Sequence, residues 1–302
     1  MTLILGMILD ALLGEPRWLW SRVPHPAVLM GRAIEWCDAA FNEGDSKRFR
    51  GTVLILGLWF VAGVLGWLVQ LAPGFAIDAI VLAVLLAQKS LAEHVQSAGD
   101  ALRLSLGDGR RSVAMIVGRD TMGMDGSAVA RSAIESAAEN LSDGVIAPIF
   151  WFAVAGLPGL LIYKVTNTAD SMIGYRTPRH ADFGWASAKL DDLLNLIPAR
   201  LTALFIWTVT SRPDIKAILR EAPRHRSPNA GWPEAAMAYG QDIALSGPRS
   251  YDGARQDYPF VNAKGARLLG PDDIDRTVTV LWKTWVLTLA LAFAGAVLAA
   301  LF

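Results

Sequence analysis

The sequence has one cysteine, Cys37, so no internal disulfide can form and a cysteine cage for a metal is excluded. Its four histidines, His25, His94, His180 and His225, lie far apart, and none makes the close pairing of a zinc-binding helix. Charge is also scarce. Only 19% of residues are charged, with 28 basic against 28 acidic, so there is no cationic surplus of the kind that holds nucleic acid. No GxxxxGKS/T run occurs, which excludes a Walker-type phosphate loop, and no internal repeat or low-complexity tract is present.

What fills the chain is apolar: 53% of residues are hydrophobic and the mean hydropathy is +0.35, beyond an ordinary soluble protein and typical of a membrane protein. The opening MTLILGMILDALLGEP is short, carries Asp10 and has no basic residue ahead of it. It reads as a first helix, buried or partly inserted, that ends near Gly14 and Pro16 rather than as a signal peptide. Residues 26–41 suit an amphipathic interfacial helix, and His25 between two prolines suits a turn. Residues 53–72 are long enough to cross about 30 Å of hydrocarbon. After the Pro73-Gly74 turn, residues 75–91 return as a shorter apolar helix, and basic flanks put both ends of this hairpin in the cytoplasm.

From 92 to 106 the pattern is helical, followed by a polar turn at 107–111 and a β-like run at 112–118. Asp125 or Ser127 can cap a helix running to about residue 140, with Glu135 and Glu139 on one face. Residues 145–163 have the length of a span, but Pro148 and the Gly156-Leu-Pro-Gly159 sequence interrupt it. Either it crosses once, or it breaks at Gly156 and re-enters; the re-entrant reading is favoured because it keeps the polar stretches on both sides of it together. Residues 198–211 form a short apolar helix, 212–283 a polar, arginine-rich cytoplasmic loop, and 284–302 a terminal span. The expected architecture is a single all-α, polytopic membrane domain over 1–302, with about four or five membrane-inserted segments.

Between two apolar segments the chain concentrates Lys164, Asn167, Asp170, Ser171, Tyr175, Arg176, Asp191, Asp192, Asn195 and Arg200. Polar groups at membrane depth persist where they line a cavity or the water boundary, so this stretch is a candidate site floor. Lys164, Asn167 and Ser171 share a helical face, from which Lys164 and Arg176 could bind phosphate while Asn167 and Asp170 hold a cation or an amide. Asp191 and Asp192 are hard oxygen ligands suited to Mg²⁺. Each cluster also has a plainer reading: a polar pin between helices, a helix cap, or, for Glu135 and Glu139, a solvated face.

Longer motifs are more specific. They are Asp10, Gly14, Glu15 and Pro16 with His25-Pro26 downstream; GRDT at 118–121; IESAAENLSDGVIAP at 134–148; GLPG…YK…NTxDSMIGY over 156–175; FGWASAKLDDLLNLIPARLTA at 183–203; and SPNAGWPEAAMA at 227–238. In this order they resemble the CobD/CbiB family of cobalamin biosynthesis proteins, the adenosylcobinamide-phosphate synthases. After Ala238, YGQDIALSGP departs from the family's more glycine- and leucine-rich pattern.

The resemblance implies a multi-pass protein of the bacterial inner membrane with its site facing the cytoplasm, and a carbon–nitrogen ligase. It implies that ATP and Mg²⁺ drive the joining of (R)-1-amino-2-propanol phosphate, or aminopropanol, to a propionate of adenosylcobyric acid. Other cobalamin-pathway enzymes are the implied partners, beside the lipid bilayer. On this chemistry Lys164, Arg176 and Arg200 would neutralise phosphate, with Arg119, Ser171 and Tyr175 among the binding residues. Asp170, Asp191 and Asp192 would hold Mg²⁺, Glu135 or Glu139 would take the ammonium proton, and Asn140, Asn167, Asn195 and Asn229 would bond the corrin's amide rim. No protein-bound metal cluster is expected. Two rival readings are an AmpE-like membrane sensor without catalysis and a diphosphate-dependent transferase, the latter needing a second aspartate-rich motif that the sequence lacks.

Overall fold

The computed structural model describes residues 1–211, 213–251 and 253–301, without the side chains of Arg17, Tyr251 and Arg255. Arg212 and Phe302, the expected start of the polar loop and end of the last helix, thus lie outside the described residues, as does the basic side chain of Arg255.

In chain order the helices are α1 (Thr2–Leu13), α2 (Arg17–Trp20), α3 (Pro26–Phe41), α4 (Lys47–Gln70), α5 (Ala76–Leu85), α6 (Gln88–Leu104), α7 (Leu106–Val113) and α8 (Gly126–Leu141). A π-helical turn, Ser142–Ile146, then leads into α9 (Ala147–Ile173), followed by α10 (Trp185–Leu194), α11 (Leu196–Val209), α12 (Ile215–Glu221), α13 (Gly231–Gln241) and α14 (Pro271–Leu301). Between α13 and α14 lie four short strands, β1 (Leu245–Ser246), β2 (Arg249–Tyr251), β3 (Ala254–Gln256) and β4 (Phe260–Val261). β1 pairs antiparallel with β4, and β2 with β3.

The protein is a helical membrane protein. Three stretches, α4, the run from Gly126 to Ile173, and α14, are long and apolar enough to cross a bilayer; α10 and α11, bent by 44° at their junction, would add a fourth as one broken span. The chain groups into two compact units: unit 1 holds Met1–Ala87, Asp143–Leu196 and the tail from Ala292, and unit 2 holds Gln88–Ser142 and Ile197–Leu291.

In unit 1, α4 and α9 pack along each other, with α3 and α10 against them. Ile34, Ile55, Ala169, Ile173, Phe183 and Ala186 close into one buried cluster, flanked by Trp59 and Met172. A fully buried Phe or Ile side chain contributes about 1.5–3 kcal/mol, so such a cluster fixes the arrangement of these helices. On α4 the outward residues Phe60, Val64, Leu65 and Trp67 remain exposed, as a lipid-facing surface requires.

The break expected at Gly156 is present. Ala155 and Gly156 leave helical geometry inside α9, and Gly156 takes φ 63° and ψ −152°, which a side chain would strain. Gly66 of α4 lies so close to the Pro158 backbone that a Cβ there would collide with it. Beyond the break, helix continues through Lys164 to Ile173, so the apolar and polar parts of the segment share one helix.

Other expectations need correction. Helix α5 has 10 residues, about 15 Å of rise, too short to cross, and its main partner is α1 rather than α4. Residues 106–113 are helical, not a turn, and the β-like run forms no strand, because Ser105 caps a helix there by accepting the Asp108 N–H at 3.0 Å. The 212–283 segment is not merely loop: it holds α12, α13, the strands and the first turns of α14, which begins at Pro271.

Unit 2 is built on α8, whose Ala- and Ser-rich sequence lets α6, α7 and α13 approach closely. Asp125 starts it by accepting the Ala128 N–H at 2.7 Å. Val129, Ala133, Ile134, Ala137 and Ala138 are fully buried, which leaves Glu135 as a carboxylate set into an apolar helix. Arg103 of α6 ties the start of α14 by reaching Asp272 at 2.9 Å.

Candidate active site

Glu135, 4% exposed, is the hub of unit 2. Its Oε2 accepts from Arg119 Nη2 at 2.7 Å and lies 3.6 Å from Arg249 Nη1, while Oε1 accepts the Ser246 backbone N–H at 2.7 Å. Arg249 also donates to Ser246 Oγ at 2.6 Å, and its guanidinium lies over the Tyr258 ring. Ser246 sits at φ 60°, a left-handed conformation that costs a non-glycine residue energy and persists where surrounding bonds enforce it. Here Glu135 and Arg249 supply those bonds.

One turn on from Glu135, Glu139 is exposed and lies within electrostatic reach of Arg226, Arg119 and Arg249. Glu234 of α13 joins the same cluster from the other side, 5% exposed, with Oε2 3.6 Å from His225 Nε2 and Oε1 without a hydrogen-bond partner among the described residues. Burial, aided by repulsion from Glu135, pushes the Glu234 acid up to about 8. Burial likewise pulls His225 down to about 4, with the Arg226 and Arg249 charges adding to the effect. His225 Nδ1 accepts the Ser227 N–H at 3.1 Å, which leaves the ring proton on Nε2, facing Glu234. The pair is therefore a neutral acid beside a neutral imidazole at neutral pH.

Two cavities flank Arg249. The larger, ≈ 480 Å³, is lined by Arg119, Arg131, Ser246 and Arg249 with residues of the 120–128 loop; the smaller, ≈ 50 Å³, lies among His225, Arg226, Tyr258 and Phe260. Asp120 secures the hairpin that carries Arg249: its N–H donates to Ser250 O at 3.1 Å and its Oδ2 accepts the Gly253 N–H at 2.8 Å.

Of the residues expected from sequence, the structure brings Arg119, Glu135 and Glu139 together in unit 2. Asn140 is in the same unit, its amide donating to Ser136 O at 2.9 Å. Arg200 and Asn229 also belong there, paired through Nη1 and Oδ1 at 3.1 Å, with Arg200 over the Trp232 ring. Ser227 folds the SPNAGW turn by accepting the N–H groups of Asn229 and Ala230.

The other candidates lie in unit 1. Asp191 accepts from Asn167 at 3.2 Å and from Asn195 at 3.0 Å, and Asn195 Oδ1 lies 3.1 Å from the buried Tyr163 hydroxyl. Asp192 pairs with Lys189 at 3.7 Å, and Lys164 is within electrostatic reach of Asp143 and Glu15. Ser171 donates to Asn167 O at 2.9 Å, and Tyr175 and Arg176 are exposed beyond the end of α9. Among the described residues no three His, Cys, Asp or Glu side chains converge to hold a metal ion. Asp191 accepts one amide on each oxygen, and Asp170, Asp191 and Asp192 form no preformed three-carboxylate Mg²⁺ cage among the described residues.

Sequence reasoning missed Arg249, Ser246, His225 and Glu234. Glu234 had a readable signal, a lone acid in the apolar GWPEAAMA helix; Arg249 had none, since a three-residue strand inside a polar segment leaves no periodicity.

The CobD/Cbib protein family model matches residues 3–281 of this chain. The chain belongs to the CobD/Cbib family. Among curated relatives, the cobalamin biosynthesis protein CobD of Sinorhizobium sp is 48% identical over 93% of this chain and 93% of its own length. That of Rhizobium meliloti is 47% identical over 97% and 96%, and that of Rhodobacter capsulatus 45% over 86% of each chain. No solved structure matches the chain significantly. Family membership covers both units, since the matched span runs through unit 1 and unit 2 alike.

Proposed function

We propose that this protein is a carbon–nitrogen ligase of cobalamin biosynthesis. It joins (R)-1-amino-2-propanol phosphate, or the unphosphorylated amine, to a propionate of adenosylcobyric acid in an ATP-driven reaction that gives adenosylcobinamide phosphate. Family membership and the names of the relatives support the pathway. The observation that carries the chemistry is the pairing of roles on one helix face: Glu135 holds two guanidiniums, and Glu139, one turn away, faces outward beside them.

A carboxylate does not condense with an amine at neutral pH without activation. In the proposed reaction a propionate oxygen attacks the γ-phosphorus of ATP and ADP leaves. The amine nitrogen then attacks the acyl carbon, phosphate departs, and the ammonium proton passes to Glu139. Arg119 and Arg249, oriented by Glu135, stabilise the negative charge that grows on the transferring phosphoryl group and the acyl oxygen. Glu234 and His225, both neutral, line the cluster without adding a charge that would cancel those guanidiniums. Lys164, Asp170 and Arg176 of unit 1 and Arg200 of unit 2 remain proposed contacts to substrate charge. Mg²⁺ bound with the nucleotide would supply charge neutralisation on the phosphates. The reaction is proposed to run on the cytoplasmic side of the bacterial inner membrane, in keeping with the basic segments between the spans.

The test is an assay of detergent-purified protein with adenosylcobyric acid, aminopropanol phosphate, ATP and Mg²⁺, with each omitted in turn and the corrinoid followed by mass spectrometry. The reading requires a mass gain equal to the amine minus water that depends on ATP. A folded, corrinoid-binding protein that yields no such product would move the sensor reading ahead.

A further inference from the structure

We infer that the ≈ 480 Å³ cavity of unit 2 is a phosphate-binding subsite, with Arg119, Arg131 and Arg249 as its anchors. The assignment rests on the reading of this unit as the seat of catalysis, and it concerns the ligand rather than the reaction.

Three guanidiniums line the cavity, and among the described residues the one buried carboxylate paired with them, Glu135, meets two. Arg119 and Arg249, with side chains 13% and 8% exposed, both turn to the same oxygen of Glu135. Arg131 donates Nε to the Ala244 carbonyl at 3.0 Å and Nη2 to the Arg267 carbonyl at 2.6 Å; these contacts aim the fork, while Glu135 and Asp125 act on it electrostatically without forming an ion pair among the described residues. Carbonyls orient a guanidinium but do not cancel its charge.

Two further acids, Asp120 and Asp125, also line this space, but both are exposed, and each accepts a backbone N–H, from Gly253 and Ala128 respectively. Their charge is screened by water, whereas charge on the largely covered Arg119 and Arg249 side chains acts through a lower dielectric. The interior therefore favours an anion although the whole wall is close to balanced.

The shape of the cation set narrows the ligand. A carboxylate is planar and is satisfied by one forked guanidinium, whereas a phosphate ester presents three oxygens in different directions, matched by guanidiniums approaching from three elements: the 118–125 loop, α8 and β2. The volume falls within the roughly 300–1,000 Å³ typical of small-molecule sites, so the cavity holds more than a bare ion. Two phosphate sources share this chemistry, a small amino-alcohol phosphate and the polyphosphate of a nucleotide.

The experiment is arginine modification of the intact, detergent-solubilised wild-type chain with phenylglyoxal, read by peptide mass spectrometry. It is run without ligand and with saturating inorganic phosphate, O-phosphoethanolamine or Mg-ATP. The expected result is selective protection of Arg119, Arg131 and Arg249, with the exposed Arg111 unaffected. Protection by O-phosphoethanolamine but not Mg-ATP assigns the cavity to the amine substrate, and the converse assigns it to the nucleotide; both support the subsite. Unchanged labelling with every phosphate compound, or protection spread evenly to Arg111, would overturn it. In titrations of the same compounds, Arg131→Gln should weaken binding by about ten- to a hundredfold, the scale of a lost charge-assisted hydrogen bond. Because protection is read without turnover, its failure leaves the ligase reading intact, and failure of the ligase assay leaves the protection result standing.

Discussion

Glu135, buried in a helix whose neighbouring side chains are alanine, serine and isoleucine, pairs at 2.7 Å with the largely covered Arg119 of the preceding loop. Such a pair is weak evidence for stability, because desolvating both charges costs about what their attraction returns; removing one partner is another matter. Here one carboxylate also answers Arg249 and holds the left-handed Ser246 in place. The arrangement fixes two cations at a chosen spot, which is the use a charge-stabilising site makes of it.

Replacing Glu135 by Gln keeps an acceptor for the Ser246 N–H but leaves two buried guanidiniums without their counter-charge. We expect a loss of about 3–5 kcal/mol in stability, visible as a lower Tm in detergent, and a loss of activity of at least about a hundredfold. Glu135→Asp should lose less of both. A Glu135→Gln protein as stable and active as wild type would remove the hub from the account.

The acid of Glu234 and the ring of His225 make stability depend on pH in opposite senses. Glu234, raised from 4.5 to about 8, holds a proton in the folded chain that the unfolded chain has given up. His225, lowered from 6.5 to about 4, lacks one that the unfolded chain carries. Between about pH 4.5 and 6.5 these effects cancel. Above 6.5 only Glu234 acts, so stability should fall as pH rises toward 8, by up to about 1.4 kcal/mol per pH unit. Tm measured across pH 6.5–8.5 should show the decline in wild type and a flatter profile in Glu234→Gln; equal slopes would refute the assignment.

Gly156 is expected to tolerate no side chain. Gly156→Ala would force an alanine to φ 63° and press its Cβ on Gln70, at a cost of about 1–3 kcal/mol. Adding Gln70→Ala should relieve the collision but not the backbone strain, so the double variant should recover only part of the lost Tm. Full recovery would show that the break needs no glycine.

Asp120 holds the Arg249 hairpin by two hydrogen bonds. Asp120→Ala should speed proteolytic nicking within 249–256 and raise KM for the phosphate-bearing substrate more than it lowers kcat. Unaltered nicking and kinetics would mean that the hairpin is held by other contacts.

The sequence carried the architecture where periodicity and breakers act locally. The helix from Pro26 to Phe41, the Gly14 stop and the Asp125 cap all emerged at the expected residues. It misled where length had to be judged from composition: the apolar run after Pro73 stops at Leu85, because Leu86 turns extended and the polar α6 starts at Gln88. Within the site, Arg119 and Glu135 were legible as chemistry but not as a pair, since 16 residues and a loop separate them. Glu135 meets Ser246 across 111 residues, a contact that only the closure of unit 2 creates and that no local pattern announces. The asparagines illustrate the opposite limit. Asn167 and Asn195 looked like ligand contacts by type, yet their amides bond Asp191, and nothing in residue identity distinguishes a substrate amide from a neighbour's carboxylate.

ATP activation of a propionate carboxylate is tested most directly by isotope transfer. Adenosylcobyric acid carrying ¹⁸O in its free propionate would be turned over with aminopropanol phosphate and Mg-ATP, and the released inorganic phosphate weighed by mass spectrometry. One ¹⁸O per phosphate, formed in step with the amide and abolished in Glu135→Gln, is the predicted result. Amide formed with all the label retained in the corrinoid or lost to water would contradict it.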